Sequence, residues 1–594
     1  MWPRAALKYF FAATAVFVIG SFCIAPAANG RSYAAAAESK FEISFPSAVH
    51  SAPITGRVVL VITRHNDVEP RFQANDWDNV VVPIFGADAN ALRPGAPLII
   101  DANTAGFPLH SVRDLPAGDY YVQAVLNVYT QCHRADGHDL WVHLDQWEGQ
   151  QFNLSAGNLI SAVKQVHLDP AAGFDIPIVL SKIIPPLEAP PDTEFVKHIK
   201  FQSASLTKFW GCPIYLGAIV LLPKGYAEHP QSKYPVIYLQ GHFSLDAPFG
   251  FDPSAPETHP TYDEVQRAHD HLNVAEPPRP LRLASEALLM PETAYEFTKA
   301  WTSDSFPRMI AVTFQHPNPY FDDSYDANSV NVGPYGDALM QELIPEVETG
   351  FRIIREPYAR ALTGGSTGGW ESLALQLYHP EFFGGTWTFY PDPIDFRRWG
   401  IVNIYDDKNY FEAAEEWIQP QRYMQRTSVG QPRVTNHEIT DLETVLGTKM
   451  RSGGQFAIWQ AVYGPIGDDG YPKPLWNPRT GEIDHAVAAY MRDHGYDLRY
   501  YLESNWPKLG PSLIGKIHLY SGDMDNYYLN LAVYLMEDFL VNTKEPHYGG
   551  SFQYGRPMKG HGWQPTTNFE LVKTIAEQIS KNAPQGEDAA VWHY

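Results

Sequence analysis

Ser366 stands at the centre of Gly364-Gly365-Ser366-Thr367-Gly368-Gly369, a G-x-S-x-G pattern. A serine hydroxyl is a poor nucleophile near neutral pH. It needs a base to take its proton, and the base needs an acid to fix its tautomer. An apolar lead-in (Ala361, Leu362) precedes the pattern and a helical segment, 370–378, follows it. That is the setting of a nucleophile elbow, a sharp strand-to-helix turn that holds the serine oxygen at the tip of a sheet. Glycines two before and two after the serine let such a turn close without a Cβ clash. A glycine-rich turn that only caps a helix would carry the same letters, so the partners further along the chain matter.

Where serine, acid and base follow one another in that chain order, the acid and base lie downstream, after late strands. Gly560-His561-Gly562-Trp563 supplies the base, His561, whose flanking glycines give the imidazole backbone freedom. His547 competes, but Pro546 and Tyr548 surround it and no glycine pair frames it. The acid lies within Ser521-Gly522-Asp523-Met524-Asp525-Asn526-Tyr527-Tyr528. Asp525 is preferred, three residues past the turn glycine; Asp523 is the alternative acid, and either could cap the helix that follows. A cation site made by both is a third reading, since hard cations take clustered carboxylates. The oxyanion hole draws one N–H from Thr367 and a second from the loop Gln240-Gly241-His242-Phe243, at His242 or Phe243. The His242 side chain reads as a loop group without a catalytic part. Asp322-Asp323-Ser324-Tyr325-Asp326-Ala327-Asn328 is dense in carboxylates but lacks EF-hand spacing with a closing Glu. It reads as a turn with helix-starting residues, and Ca²⁺ is the rival reading. Trp370 reads as packing. No metal and no organic cofactor is required by this chemistry.

These groups need a sheet to hold them. Residues 236–239 (VIYL) and 309–313 (MIAVT) read as buried parallel strands, followed by a helix at 335–349 that Pro345 kinks or ends early. The elbow and its helix come next, then a strand at 386–390, a strand at 517–520 (IHLY), a helix near 529–539 and a last helix at 568–581. Strands alternating with helices imply an α/β layout with a mostly parallel sheet. Segments 196–205 and 218–222 read as a hairpin at its edge. Two stretches exceed what a crossover needs: 244–305, rich in proline, and 391–515, rich in aromatics and read as a partly helical cap. Earlier in the chain, 57–63 (RVVLVIT), 80–84, 120–129 (YYVQAVLNVY) and 176–180 are short strands without intervening helices, which suggests a β-sandwich.

The expected organisation is therefore a signal peptide at 1–28, a β-sandwich of immunoglobulin-like type at 40–182, a proline-rich linker at 183–194, and a hydrolase domain at 195–594 with insertions 244–305 and 391–515. The 594 residues exceed one ordinary domain. Arg4 and Lys8, the apolar run 10–24 and Ala25-Pro26-Ala27 make an export signal, so the mature protein is expected in the periplasm or outside the cell, with no stable membrane span. A net charge of −23 repels phosphate backbones, so nucleic acid is not an expected partner. Beyond the signal only Cys132 and Cys212 remain. They fall in different proposed domains and are expected as two separate buried thiols.

YPVIYLQGH (234–242), the block 309–348, RALTGGSTGGWESLALQLYHPEFFGG (360–385), GDMDNYYL (522–529) and GHGW (560–563) occur in order. Together they resemble the putative esterase family, the α/β-hydrolases related to esterase D and enterochelin esterase. The resemblance covers about residues 200–390 and 515–582. It implies an α/β-hydrolase fold, ester hydrolysis or acyl transfer, and the nucleophile, acid and base roles on Ser366, Asp525 and His561. A β-sandwich before the hydrolase domain also occurs among enterochelin esterases. Two departures stand out: Gln-Gly-His replaces the family's common His-Gly, and 391–515 is far longer than the family core. The expected activity is that of a serine esterase acting on a small-molecule or glycan-linked ester. The alternatives are a peptidase or acyltransferase on the same triad, and a glycan- or siderophore-binding protein with a vestigial hydrolase part.

Overall fold

The structure, a computed structural model, describes residues 38–74, 82–255, 292–414, 417–584, 592 and 594. The expected signal at 1–28 and most of the 244–305 insertion lie outside the described residues. Among those described, no helix is long and apolar enough to cross a membrane.

The sheet that carries the elbow has eight strands. From one edge they run Val196–Gln202, Tyr215–Leu221, Ile310–Gln315, Val236–Gln240, Arg360–Gly365, Gly385–Phe389, Ile517–Gly522 and Ser551–Gly555. The first two are antiparallel to their neighbours; from Ile310–Gln315 onward all pairings are parallel. The central strands are apolar on both faces because helices cover both, so Ile310–Gln315 and Gly385–Phe389 are buried at every residue. Local signals set several helix starts. Thr293 with Glu296, Thr435 with Glu438 and Thr567 with Glu570 each form a reciprocal capping box.

Residues 39–183 form a second, nine-stranded sheet built around Gly118–Val128, which pairs with Ile54–Thr63, Leu159–Ser161 and Lys164–Leu168. Ile54–Thr63, rich in β-branched residues, is buried at nearly every position. One face closes over its own core, including Phe41, Val58, Leu60, Phe85 and Leu126. The other presents Val59, Val61, Ile84 and Phe107 to Leu442 and Val445 of the helix Asn436–Leu446. Arg57 secures that contact by donating from Nε and Nη2 to the Val445 carbonyl.

The structure differs from the sequence reading at several points. Cys132 and Cys212 are joined by a disulfide, with Cα atoms 5.5 Å apart. The reason is that the small hairpin Thr130–His133/Asp139–Val142 stands apart from the nine-stranded sheet: Cys132, Leu140 and Val142 pack into the same core as Trp210 and Leu216, beside the eight-stranded sheet. At the sheet edge, residues 203–205 are not extended. Ser203 caps a helix, Ala204–Trp210, that lies between the paired strands. The helix expected over 335–349 is broken into Tyr335–Ala338, a π-helical turn Leu339–Leu343, and Ile344–Gly350. The wide turn just before Pro345 accommodates the missing N–H without ending the helix. Residues 322–328 are not a helix start. Asp323, Ser324 and Asp326 are buried, and the segment leads into the two-residue strand Asn328–Ser329. The strand Ser551–Gly555 carried too weak a pattern to be read. Among its described residues the 391–515 insertion holds four α-helices, Asn436–Leu446, Gln455–Tyr463, His485–Asp493 and Leu498–Leu513.

Candidate active site

Ser366 joins the strand Arg360–Gly365 to the helix Thr367–Tyr378 with φ 57° and ψ −121°. A non-glycine residue held there is strained, which is the signature of an elbow. Four hydrogen bonds over-determine it: the Ser366 N–H donates to Phe389 O at 3.1 Å, and its carbonyl accepts from the N–H groups of Gly369, Trp370 and Asp392. The glycine at 368 has a steric reason. A Cβ there would stand 2.1 Å from Gln240 O and 2.8 Å from Gly241 N, so only glycine lets the 240–243 loop approach the elbow.

His561 lies after the strand Ser551–Gly555. Its Nδ1–H donates to Asp525 Oδ2 at 2.8 Å, and its backbone N–H to Asn526 Oδ1 at 2.8 Å. Asp525 is fully buried, and its Oδ1 accepts from the N–H groups of Tyr527 (2.9 Å) and Leu529 (3.2 Å). These donors satisfy a carboxylate that burial would otherwise penalise. With Nδ1–H given to Asp525, the tautomer is set so that Nε2 carries the ring lone pair. Two aromatic rings flank it, Tyr390 at 4.7 Å and Tyr527 at 4.8 Å between centroids. Tyr390 also closes on the elbow, since a Cβ on Gly365 would fall 2.6 Å from its ring. One tyrosine ring thus spans the residue before the serine and the imidazole. Asp523 is elsewhere: its Oδ1 accepts from the Lys559 N–H at 3.2 Å, tying two loops together. His547 Nδ1 bonds to Thr543 O.

The N–H groups of Thr367, His242 and Phe243 have no acceptor among the described residues. Thr367 is buried at the start of the elbow helix, and Phe243 packs edge-on against Trp147 at 5.4 Å. His242 is more involved than a loop side chain. Its Nδ1 faces Asp322 Oδ1 at 3.1 Å and Asp323 Oδ2 at 3.2 Å, and its Nε2 lies 3.4 Å from Thr367 Oγ1. Partial burial pulls its pKa down, but the two carboxylates outweigh that and hold it well above the ordinary histidine value. The two carboxylates thus favour the protonated form of this ring.

Sequence reasoning missed Asp392. This carboxyl is buried, and Ser366 Oγ donates to its Oδ1 at 3.4 Å. Tyr325, Thr367, Gln455 and Trp459 gather on its other oxygen. The available signal was its place three residues past Gly385–Phe389, the strand beside the elbow strand. Its partners come from 325 and from 455–459, too distant in sequence to be inferred. Trp370 is fully buried against Tyr325 and Tyr463.

Two groups of side chains come close enough to share a cation: His242 with Asp322 and Asp323, and His316 with Asp326 and Glu371. The second is wholly buried. There, His316 Nδ1 accepts from the Ser324 N–H at 3.0 Å, so Nε2 carries the ring proton. It faces Asp326 Oδ1 at 3.5 Å and Glu371 Oε1 at 3.9 Å. In this tautomer the ring offers those carboxyls a proton and offers a metal no lone pair. Burial pushes both carboxyls well above their ordinary pKa and lowers His316 to about 4.

Residues 293–444, spanning the acidic loop, the elbow and the start of the long insertion, match the family model described as putative esterase. No curated protein matches the chain. Among solved structures, a ferulic acid esterase is 14% identical, covering 65% of this chain and 100% of its own, with a TM-score of 0.31. The Staphylococcus aureus fluorophosphonate-binding serine hydrolase F is 13% identical, covering 65% and 98%, with a TM-score of 0.31. An S-formylglutathione hydrolase from Agrobacterium tumefaciens is 11% identical, covering 66% and 95%, with a TM-score of 0.30. The α/β part of this chain is thus similar to the putative esterase family across the segment that holds Ser366, and that likeness supports ester hydrolysis.

Proposed function

We propose that the chain is a serine hydrolase of carboxylic esters, with Ser366 as nucleophile, His561 as general base and Asp525 as the acid that orients it. The observation that carries this reading is a strained serine at a strand end together with an imidazole whose Nδ1–H is taken by a buried, otherwise saturated carboxylate. In the proposed cycle, His561 Nε2 accepts the Ser366 proton as Oγ attacks the ester carbonyl. The N–H groups of Thr367 and of His242 or Phe243 hold the oxyanion, and the His242 imidazolium adds positive charge beside them. The imidazolium of His561 protonates the leaving alcohol. Water, activated by the same ring, then releases the acyl group from Oγ.

In this reading the 391–515 insertion is a cap. Gln455 and Trp459 of its helix Gln455–Tyr463 reach the polar cluster beside the serine. Residues 39–183 form a β-sandwich that braces the cap through Asn436–Leu446. Export through a signal at 1–28 is supported by the Cys132–Cys212 disulfide, because such bonds persist in oxidising compartments.

The test is labelling by a fluorophosphonate probe together with turnover of a p-nitrophenyl ester. Purified mature protein should be labelled at Ser366 and should hydrolyse the ester. A Ser366→Ala protein that still turns over the ester at the original rate would refute the assignment.

A further inference from the structure

We propose that Asp392 selects the acyl part of the substrate: its inward carboxylate oxygen receives an ammonium group carried one or two carbons from the scissile carbonyl, so the preferred substrates are esters of short amino acids. This rests on the serine-hydrolase reading above and specifies the substrate of that site.

Asp392 is tied to the elbow by its backbone, whose N–H donates to the Ser366 carbonyl at 3.1 Å. Its side chain is divided in use. Oδ2 accepts from Tyr325 Oη at 2.6 Å, Gln455 Nε2 at 2.9 Å, Thr367 Oγ1 at 3.1 Å and Trp459 Nε1 at 3.4 Å. Oδ1 meets one group among the described residues, the Ser366 hydroxyl at 3.4 Å. Donors from the acidic loop, the elbow helix and the insertion thus fix the carboxyl, the Trp459 N–H lying nearer Tyr325 Oη at 2.6 Å, and the less crowded Oδ1 faces the attacking atom.

A carboxylate in that place has a cost. It is 4% exposed, and a buried negative charge a few ångströms from the reacting carbon opposes the oxyanion that forms there. A structural role would be served equally by a neutral amide of the same shape. An ammonium on the substrate removes the conflict, because it satisfies Oδ1 and offsets both negative charges as the tetrahedral intermediate forms.

The reach is short. Oγ bonds to the carbonyl carbon, so a donor within about 2.8 Å of Oδ1 must sit on the first or second carbon of the acyl chain. A hydroxyl there would make a weaker bond than an ammonium. The net charge of −23 favours approach of a cationic substrate. Burial raises the Asp392 pKa above its ordinary value, while the Tyr325 hydroxyl and the His242 and His561 imidazoles pull it back. Recognition should therefore titrate with this carboxyl.

The experiment compares the methyl esters of 3-aminopropanoic acid and butanoic acid, near-isosteres that differ in an ammonium for a methyl group. Hydrolysis by purified mature protein is followed in a pH-stat, with fluorophosphonate labelling of Ser366 run in parallel. The expected kcat/KM favours the amino ester by about tenfold or more, the yield of one charge-assisted bond. The amino ester alone should show an extra acidic limb in its pH profile. In the D392N protein the preference should collapse, mainly through a higher KM for the amino ester, and the extra limb should vanish; D392E should restore part of the preference. Wild-type protein that treats the two esters alike overturns the proposal, even if D392N does not fold. So does a D392N protein that loses both activities in equal proportion while its Ser366 still labels. If neither ester is cleaved and Ser366 does not label, the hydrolase reading itself fails and the proposal falls with it.

Discussion

The imidazoles of His561 and His316 are each met by buried carboxyls, yet they are wired in opposite senses. At His561, Nδ1–H points to Asp525, whose second oxygen is filled by the N–H groups of Tyr527 and Leu529. At His316, the Ser324 N–H occupies Nδ1, and the protonated Nε2 turns toward Asp326 and Glu371. Neither of those carboxyls has a hydrogen-bond partner among the described residues. The first arrangement sets the tautomer in which Nε2 carries the lone pair; the second is an environment that favours the uncharged form of both carboxyls. Residue types do not separate the two cases. The difference lies in which backbone N–H groups reach the ring and the carboxylates.

The strongest way to break this contrast is to remove the nucleophile. Ser366→Ala should cut kcat for an ester by about 10⁴-fold or more, with the protein still folded by circular dichroism. Next in size is Asp525→Asn, which should cost about 10³–10⁴-fold by releasing the imidazole into the wrong tautomer. Asp523→Asn should change the rate far less, because Asp523 joins a loop instead of the ring. Equal losses in the two asparagine variants would remove the distinction between the carboxylates.

A smaller effect tests the buried cluster. Burial favours the protonated forms of Asp326 and Glu371 in the folded state, whereas the unfolded chain releases those protons above a pH of about 4–5. With raised folded-state pKa values, stability is higher at low pH and declines as pH rises through the unfolded values toward the folded ones. Glu371→Gln keeps the shape and removes one titration. It should raise the melting temperature at pH 8 relative to wild type, by about 1–3 kcal/mol of stability, and flatten the decline between pH 5 and 8. Little change in ester turnover should accompany it. A Glu371→Gln protein that melts lower at pH 8 would show that the carboxylate is ionised and partnered. His316 works in the other direction: lowered to about 4, it costs stability as pH falls below about 6.5. His316→Gln should therefore weaken acid denaturation between pH 6.5 and 4, the smallest of these effects.

Legibility followed distance along the chain. The serine turn was readable because its strain, its small neighbours and its helix all lie within a dozen residues. The α/β layout was readable because strands buried on both faces keep a continuous apolar pattern. Asp523 and Asp525 were not separable with certainty, since two residues in one loop differ only in which loop they turn toward. Asp392 could not be assigned, because its four side-chain donors come from positions 325, 367, 455 and 459. The disulfide was not legible because a boundary drawn along the sequence assigns Cys132 to the nine-stranded sheet, while its hairpin packs into the core of the eight-stranded one. The turn expected at 322–328 is present at Tyr325–Asp326; what the sequence did not show is its burial. Its acidic letters suggest solvent, yet contacts with His316 and His242 keep much of it inside.

What the chain determined by itself is the set of local events: a glycine-framed serine, capping boxes that start three helices, and strands whose β-branched residues commit them to a sheet. These depend on neighbours within a turn or a strand, where covalent spacing leaves few alternatives. Tertiary structure alone decided which carboxylate holds the His561 imidazole, which ones lie where the protonated form is favoured, and which one is aimed at Ser366. Each of those outcomes is set by dehydration and by donors from remote segments, and a charge has no defined environment until the fold has brought them together.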